Sequence, residues 1–138
     1  VFGSADDKIE PEIIELSKSN RIKNIGWISS KEIYKYYFAS DLAFFPGTHS
    51  VLWEKAVGIG LPCVFKRWKG MEHVDVGGNC LFLEEGSLEE IKTTISKINN
   101  NKKLYSDMLK VASGKGISEF SYLKIAKKSI QIDDKTII

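Results

Sequence analysis

The sequence predicts an α/β domain built as a doubly wound parallel sheet with helices on both faces. Three observations predict it. Leu42-Ala43-Phe44-Phe45, Pro62-Cys63-Val64-Phe65 and Cys80-Leu81-Phe82-Leu83 are short, wholly apolar runs, the pattern of strands covered on both sides. Helical patterns alternate with these runs, the order that makes parallel sheets. Turn residues punctuate the junctions, among them Pro46-Gly47, Gly60, Pro62 and Gly77-Gly78.

Each element has its own signal. Val1-Phe2-Gly3-Ser4 reads as the end of a strand. With no initiator Met and no signal peptide, we expect the chain to be the back portion of a larger protein. Pro11 suits a first helical turn, and Ile13, Ile14 and Leu16 mark the buried face of a helix ending near Asn20. Ile22 to Ile28 alternates as a strand. Ser29 and Glu32 stand at capping-box spacing and open a helix to about Ser40. Val51 to Ile59 is a helix stopped by Gly60 and Pro62. After the second apolar run come a basic loop, Lys66 to Gly70, and a short helix, Met71 to Val76. Ser87 and Glu90 form a second capping box for a helix through Ile91, Ile95 and Ile98. Closing helices follow over Leu104 to Val111 and Ser121 to Ile130, with Ser113-Gly114-Lys115-Gly116 as a loop and Gln131 to Ile138 as a tail without period.

Composition narrows the function. The chain has 138 residues, 43% hydrophobic and 28% charged, which is globular and fits one domain. Twenty basic against eighteen acidic residues leave +2, too little to argue for nucleic acid or an anionic membrane as partner. No apolar run approaches the roughly 20 residues that span a bilayer. Cys63 and Cys80 make no disulfide framework, so reduced thiols in a cytoplasmic setting are the default.

In a sheet of this kind ligands bind outside the carboxyl ends of strands. The turn Pro46-Gly47-Thr48-His49-Ser50-Val51, between the first apolar run and a helix, is therefore the first place to look. A helix start offers unpaired N–H groups. Gly47 lets an anion approach, and Thr48 and Ser50 add hydroxyls, so the turn reads as a phosphate or diphosphate cradle. Glu54 lies one helical turn beyond Ser50. A carboxylate there repels phosphate but accepts hydrogen bonds from vicinal hydroxyls such as those of a ribose. Together they suggest a nucleoside diphosphate. The plainer alternative is that Thr48 or Ser50 caps the helix and Glu54 is solvated beside it.

Gly26-Trp27-Ile28-Ser29-Ser30-Lys31-Glu32-Ile33, then Ala39-Ser40-Asp41-Leu42-Ala43-Phe44-Phe45-Pro46, then Trp53-Glu54-Lys55-Ala56-Val57-Gly58-Ile59-Gly60-Leu61-Pro62-Cys63-Val64 resemble, in that order, the C-terminal domain of GT-B fold glycosyltransferases. Gly70-x-Glu72 and Gly77-Gly78-Asn79 resemble that family's later glycine turns, and the resemblance runs over nearly the whole chain. It implies a Rossmann-like fold and a nucleotide diphosphate-sugar donor, with no other cofactor. It implies that Glu54 binds the ribose, that Gly47, Thr48, Ser50 and Val51 lie at the diphosphate, and that Gly26, Trp27 and Ile28 contact the base. An acceptor domain on the missing N-terminal side is implied as well, and any peripheral association with the inner face of the cell membrane would run through that part. The implied reaction is glycosyl transfer, with polysaccharide biosynthesis as the expected setting. Two departures matter. Glu54-Lys55-Ala56 carries one inserted position, and where retaining members hold an earlier acid this chain has Pro46, with His49 the nearest polar side chain. A nucleotide-sugar epimerase of the same fold and a non-catalytic α/β interaction module are the alternatives.

Other residues carry paired readings. His49 either donates to a phosphate or sugar hydroxyl, steadying the departing diphosphate, or is a turn histidine in solvent. Glu72 either reaches the donor sugar or is a surface carboxylate, and His73 reads as an exposed helix residue. His49, Cys63, His73 and Cys80 lack the close pair of a zinc site, so no metal is expected. Lys66, Arg67 and Lys69 either meet phosphate or form a solvated loop. Trp27 either stacks on a base or packs in the core, and Tyr34, Tyr36, Tyr37 and Phe38 look like a base-stacking box but at helical spacing read as core and rim packing.

Overall fold

The three apolar runs form one small parallel sheet in a computed structural model that describes residues 1–130. Its strands are β1 (Ala43–Phe45), β2 (Cys63–Lys66) and β3 (Cys80–Leu83), in the order β1-β2-β3. Phe45 lies opposite Phe65, which lies opposite Phe82, so all three strands end together at one edge. The protein is thus mixed α/β, with helices between and after its strands. The expected tail, Gln131 to Ile138, lies outside the described residues.

The chain divides into two compact units, residues 1–38 and 39–138. In the first, the expected strand over Ile22 to Ile28 does not form. A single parallel bridge joins Phe2 to Gly26, flanked by bonds from the Gly3 N–H to the Gly26 carbonyl (3.0 Å) and from the Ile25 N–H to the Val1 carbonyl (2.9 Å). Helix α1 (Glu10–Leu16) places Pro11 in its first turn but stops short of Asn20, where Ser17 folds its hydroxyl back onto the Ile13 carbonyl. It buries nothing, and Ile14 and Leu16 stand 60% and 50% exposed, so the buried face expected there is absent. Helix α2 (Ile33–Phe38) follows a reciprocal capping box: the Glu32 N–H bonds the Ser29 hydroxyl, and the Glu32 carboxylate accepts from the Ser29 N–H and hydroxyl. Ile33 and Tyr37 are buried while Phe38 is exposed.

In the second unit adjacent strand residues point to opposite faces. Phe45 and Phe65 meet the ring of Trp53 on helix α3 (Leu52–Gly58), with Phe65 stacked on it at 4.3 Å. Val64 and Leu83 instead form an aliphatic core with Ile98 of helix α4 (Leu88–Asn100), joined by Phe44, Ile91 and Leu104. Asn101 closes α4 and opens α5 (Lys102–Val111), where its side chain accepts the Leu104 N–H.

The loop expected at Ser113 to Gly116 is a wide helical turn, Ala112–Gly116, running into α6 (Ile117–Glu119) and then α7 (Tyr122–Ile130). Its glycine is a packing residue. A Cβ on Gly116 would stand 3.0 Å from the Val57 carbonyl, so a side chain there would press the turn away from α3 by a few tenths of an ångström. Among the described residues no helix is long and apolar enough to cross a membrane.

Candidate functional site

The joint carboxyl edge of the strands carries the polar cluster. The turn after β1 delivers His49, the first turn of α3 delivers Glu54, and the segment after β2 delivers His73 from a short 3₁₀ turn (Glu72–Val74). The His49 and His73 Nε2 atoms each lie 3.1 Å from the same oxygen, Glu54 Oε1. The two imidazoles are 6.4 Å apart, His49 lies edge-on to Trp53 at 5.0 Å, and His73 lies beside Phe120 at 6.2 Å.

A carboxylate oxygen only accepts hydrogen bonds, so both imidazoles must carry a proton on Nε2 to bond it. The second oxygen, Oε2, is buried without a hydrogen-bond partner. The Glu54 side chain is 27% exposed. Burial pushes its pKa up from the ordinary 4.5. Its own backbone N–H and the two histidines pull it down further, so the net shift is downward and the group is a carboxylate at neutral pH.

Side-chain tethers fix this geometry. The Trp68 indole N–H bonds the Gly47 carbonyl (3.2 Å), tying the loop after β2 to the turn after β1. Buried Asn79 accepts the Val76 N–H at 2.7 Å and donates to the Val74 carbonyl at 3.0 Å, pinning the segment that carries His73. Asp75 accepts the N–H groups of Gly77 and Gly78, whose φ of +116° and +104° suit glycine.

The amides expected to be open at the start of α3 are already engaged. Leu52 N–H bonds the Ser50 hydroxyl (3.2 Å), Trp53 N–H bonds the Ser50 carbonyl (3.0 Å), and Glu54 N–H faces its own carboxylate. Ser50, one residue before the cap residue Val51, therefore occupies these amides locally. Any anion here would face the turn ahead of the helix, where Gly47 and Thr48 are exposed and a Cβ on Gly47 would meet only open space. Val51 is 67% exposed.

The basic loop is largely engaged by protein. Arg67 Nε bonds both Glu84 carboxylate oxygens (2.7 and 2.9 Å), and its guanidinium lies over the Phe82 ring. Lys66 bonds the Glu84 carbonyl. Glu72 accepts the Gly70 N–H at 2.9 Å and stands 3.6 Å from Arg67. Trp27 is 84% exposed, which excludes core packing for it; Gly26, with φ of +69°, and Ile28 are half-buried. Both thiols are buried, and burial pushes each pKa up. Among the described residues no group of three His, Cys, Asp or Glu side chains is arranged to hold a metal ion. A hollow of about 550 Å³ lies beside Asp41, Leu42, Ile95 and Tyr105. It opens where β1 begins, the opposite end of the strand from the histidines, and its lining is mainly apolar. The edge after the strands is the better ligand candidate.

His73 is the member that sequence reasoning missed. The available signal was a histidine soon after one buried strand and a carboxylate soon after its neighbour. Compared with protein-family models and with curated proteins, the chain matches none.

Proposed function

We propose that this chain is the nucleotide-sugar donor-binding domain of a GT-B type glycosyltransferase, built on a doubly wound, Rossmann-like sheet. The observation that carries the reading is Glu54: a carboxylate at the carboxyl edge of a parallel sheet, one oxygen held by histidines and the other without a partner. The Glu54 side chain is 27% exposed at that edge, and a carboxylate there is an acceptor suited to the vicinal hydroxyls of a ribose. The exposed turn around Gly47 and Thr48 supplies room for the diphosphate. His49, whose Nε2 bonds Glu54, lies in the same turn, and its imidazole would meet the charge that grows on a departing phosphate through its other ring nitrogen. Helices against both faces of the sheet support the doubly wound architecture. The order of motifs that resembles this family supports the choice of a sugar donor over another nucleotide ligand.

Transfer itself requires an acceptor-binding domain, so the 138-residue chain binds nucleotide without transferring sugar. Calorimetric titration with the diphosphates of uridine, adenosine, guanosine and cytidine tests the reading. Binding of at least one, weakened about tenfold or more by Glu54→Ala, is the expected result, since a hydrogen bond to a charged group is commonly worth that much. Binding of none would overturn the donor site. Binding indifferent to Glu54→Ala would remove the ribose assignment and leave the anion turn.

A further inference from the structure

Trp68 stands apart from the other rings near the carboxyl edge. Phe45, Trp53, Phe65 and Phe82 pack on one another at centroid distances from 4.3 to 6.3 Å. Trp68 makes no ring contact among the described residues and is 43% exposed. Its place is nonetheless fixed. The indole N–H, the ring's one hydrogen-bonding group, donates to the Gly47 carbonyl (3.2 Å). The backbone is held on both sides: the Arg67 N–H bonds the Leu83 carbonyl (2.7 Å), and the Met71 N–H closes a tight turn onto the Trp68 carbonyl (3.0 Å), with Gly70 at φ of +83°. Arg67, the neighbouring cation, is taken up by Glu84 and Glu72. With its N–H engaged, what Trp68 leaves exposed is apolar ring surface, beside the turn where Gly47 and Thr48 are open. An indole already held in place has little freedom to lose when a ligand covers it.

We propose that Trp68 is the platform on which the pyranose ring of the donor sugar stacks, through the face of the sugar that carries its C–H groups. This rests on the donor-site reading above and adds a residue outside every motif that carries the family resemblance. Position along the turn chooses the sugar over the nucleoside. A diphosphate over Gly47 and Thr48 has its nucleoside toward Glu54, on the helix that follows the turn. Trp68 is bonded to Gly47, at the turn's other end, where the group beyond the second phosphate comes to lie. The chemistry agrees. A pyranose can cover an aromatic ring with C–H groups while its hydroxyls stay in water, and Trp68 has no further donor to offer them. The platform makes two demands. The aromatic ring matters beyond its N–H, and its loss falls on sugar-bearing ligands alone.

Two variants separate the ring from its tether. Trp68→Phe keeps a ring and gives up the N–H to Gly47; Trp68→Ala gives up both. The nucleoside diphosphate that binds best and its glucose, galactose and mannose conjugates are titrated into the full chain and both variants. Wild type is expected to bind at least one conjugate about fivefold more tightly than the bare diphosphate, the ordinary worth of an aromatic contact. Trp68→Ala is expected to abolish that surplus while leaving affinity for the bare diphosphate within about twofold, and Trp68→Phe to keep most of it. No surplus in wild type, or a surplus untouched by Trp68→Ala, overturns the platform. Equal loss in both variants means that the tether to Gly47 matters and the ring does not, which also overturns it. Proton spectra of the bound conjugate give a second measurement and need no variant that might fail to fold. Hexose C–H signals are expected to move upfield under the indole ring current in wild type, and signals that stay in place overturn the stacking. If no diphosphate binds, the donor-site reading falls and the platform with it. Diphosphate binding that weakens in Glu54→Ala, with no surplus that depends on Trp68, removes the platform alone.

Discussion

Helices α3 and α4 begin in the same way in sequence and end up with opposite chemistry. Each has a glutamate at the third helical position, Glu54 after the cap residue Val51 and Glu90 after Ser87. The Glu90 carboxylate is filled by backbone, accepting the N–H groups of Glu84, Glu85 and Gly86 at 2.6, 3.0 and 2.8 Å. Glu54 is held by two imidazoles on one oxygen and by nothing on the other. The position is common to both, so the distinction comes from what precedes the helix. A loop that curls its amides inward consumes a carboxylate as structure. A turn that sends a histidine across, beside a neighbouring loop that sends a second, holds one through a single oxygen and leaves the other buried without a hydrogen-bond partner.

The contrast can be broken most severely at Trp53. It is wholly buried against Phe65, and Trp53→Ala should cost about 3–5 kcal/mol in urea unfolding. Leu88, in the first turn of α4, is 65% exposed, and its truncation should stay within about 0.5 kcal/mol. Equal losses would mean that α3 is not anchored by its aromatic face. Glu54→Gln should weaken ribonucleoside diphosphate binding about tenfold while shifting the melting temperature little, whereas Glu90→Gln should do the reverse. Parallel calorimetry and thermal melts on the two variants would show the functions separating, or not. A smaller effect is expected at Ser87, whose hydroxyl accepts the Glu90 N–H: Ser87→Ala should cost about 1 kcal/mol.

The subtlest test is pH. Three backbone N–H groups around the Glu90 carboxylate, that of Glu84 foremost, hold its pKa below the ordinary 4.5, and Glu54 is also shifted down. A lowered folded pKa adds stability that is present above 4.5 and drains away as pH falls through the folded value. Wild-type stability should therefore decline below pH 4.5, and the decline should be shallower in Glu90→Gln, measured as melting temperature against pH. An unchanged slope would mean that the three amides do not favour the charged form.

Much of the molecule was legible beforehand because its signals are local. The three apolar runs became the three strands, since a run with no polar position has to be covered on both faces. Ser29 with Glu32 closed the reciprocal box that their spacing announces. Ser87 and Glu90 were read as a similar box; the hydroxyl behaves so, but the carboxylate reaches past its cap to the amides of the preceding loop. Ile22 to Ile28 alternates like a strand, yet pairing is a property of two segments, and only Gly26 found a bridge. Gly114 and Gly116 looked like a loop because glycine ends helices. The contact of Gly116 with α3, invisible in a linear pattern, reversed that reading.

By itself the sequence determined the alternation of buried strands and amphipathic helices, the turn that follows β1 and the glutamate one helical turn beyond it. These depend on spacing along the chain and on which residues water excludes. Tertiary structure alone decided that His73, nineteen residues from Glu54, shares its carboxylate oxygen, that Ser50 takes the amides at the start of α3, and that Trp68 ties two loops together. The physical reason is the register of parallel strands. Pairing Phe45 with Phe65 brings two distant loops to one edge, and only there can a histidine and a carboxylate come within hydrogen-bonding distance.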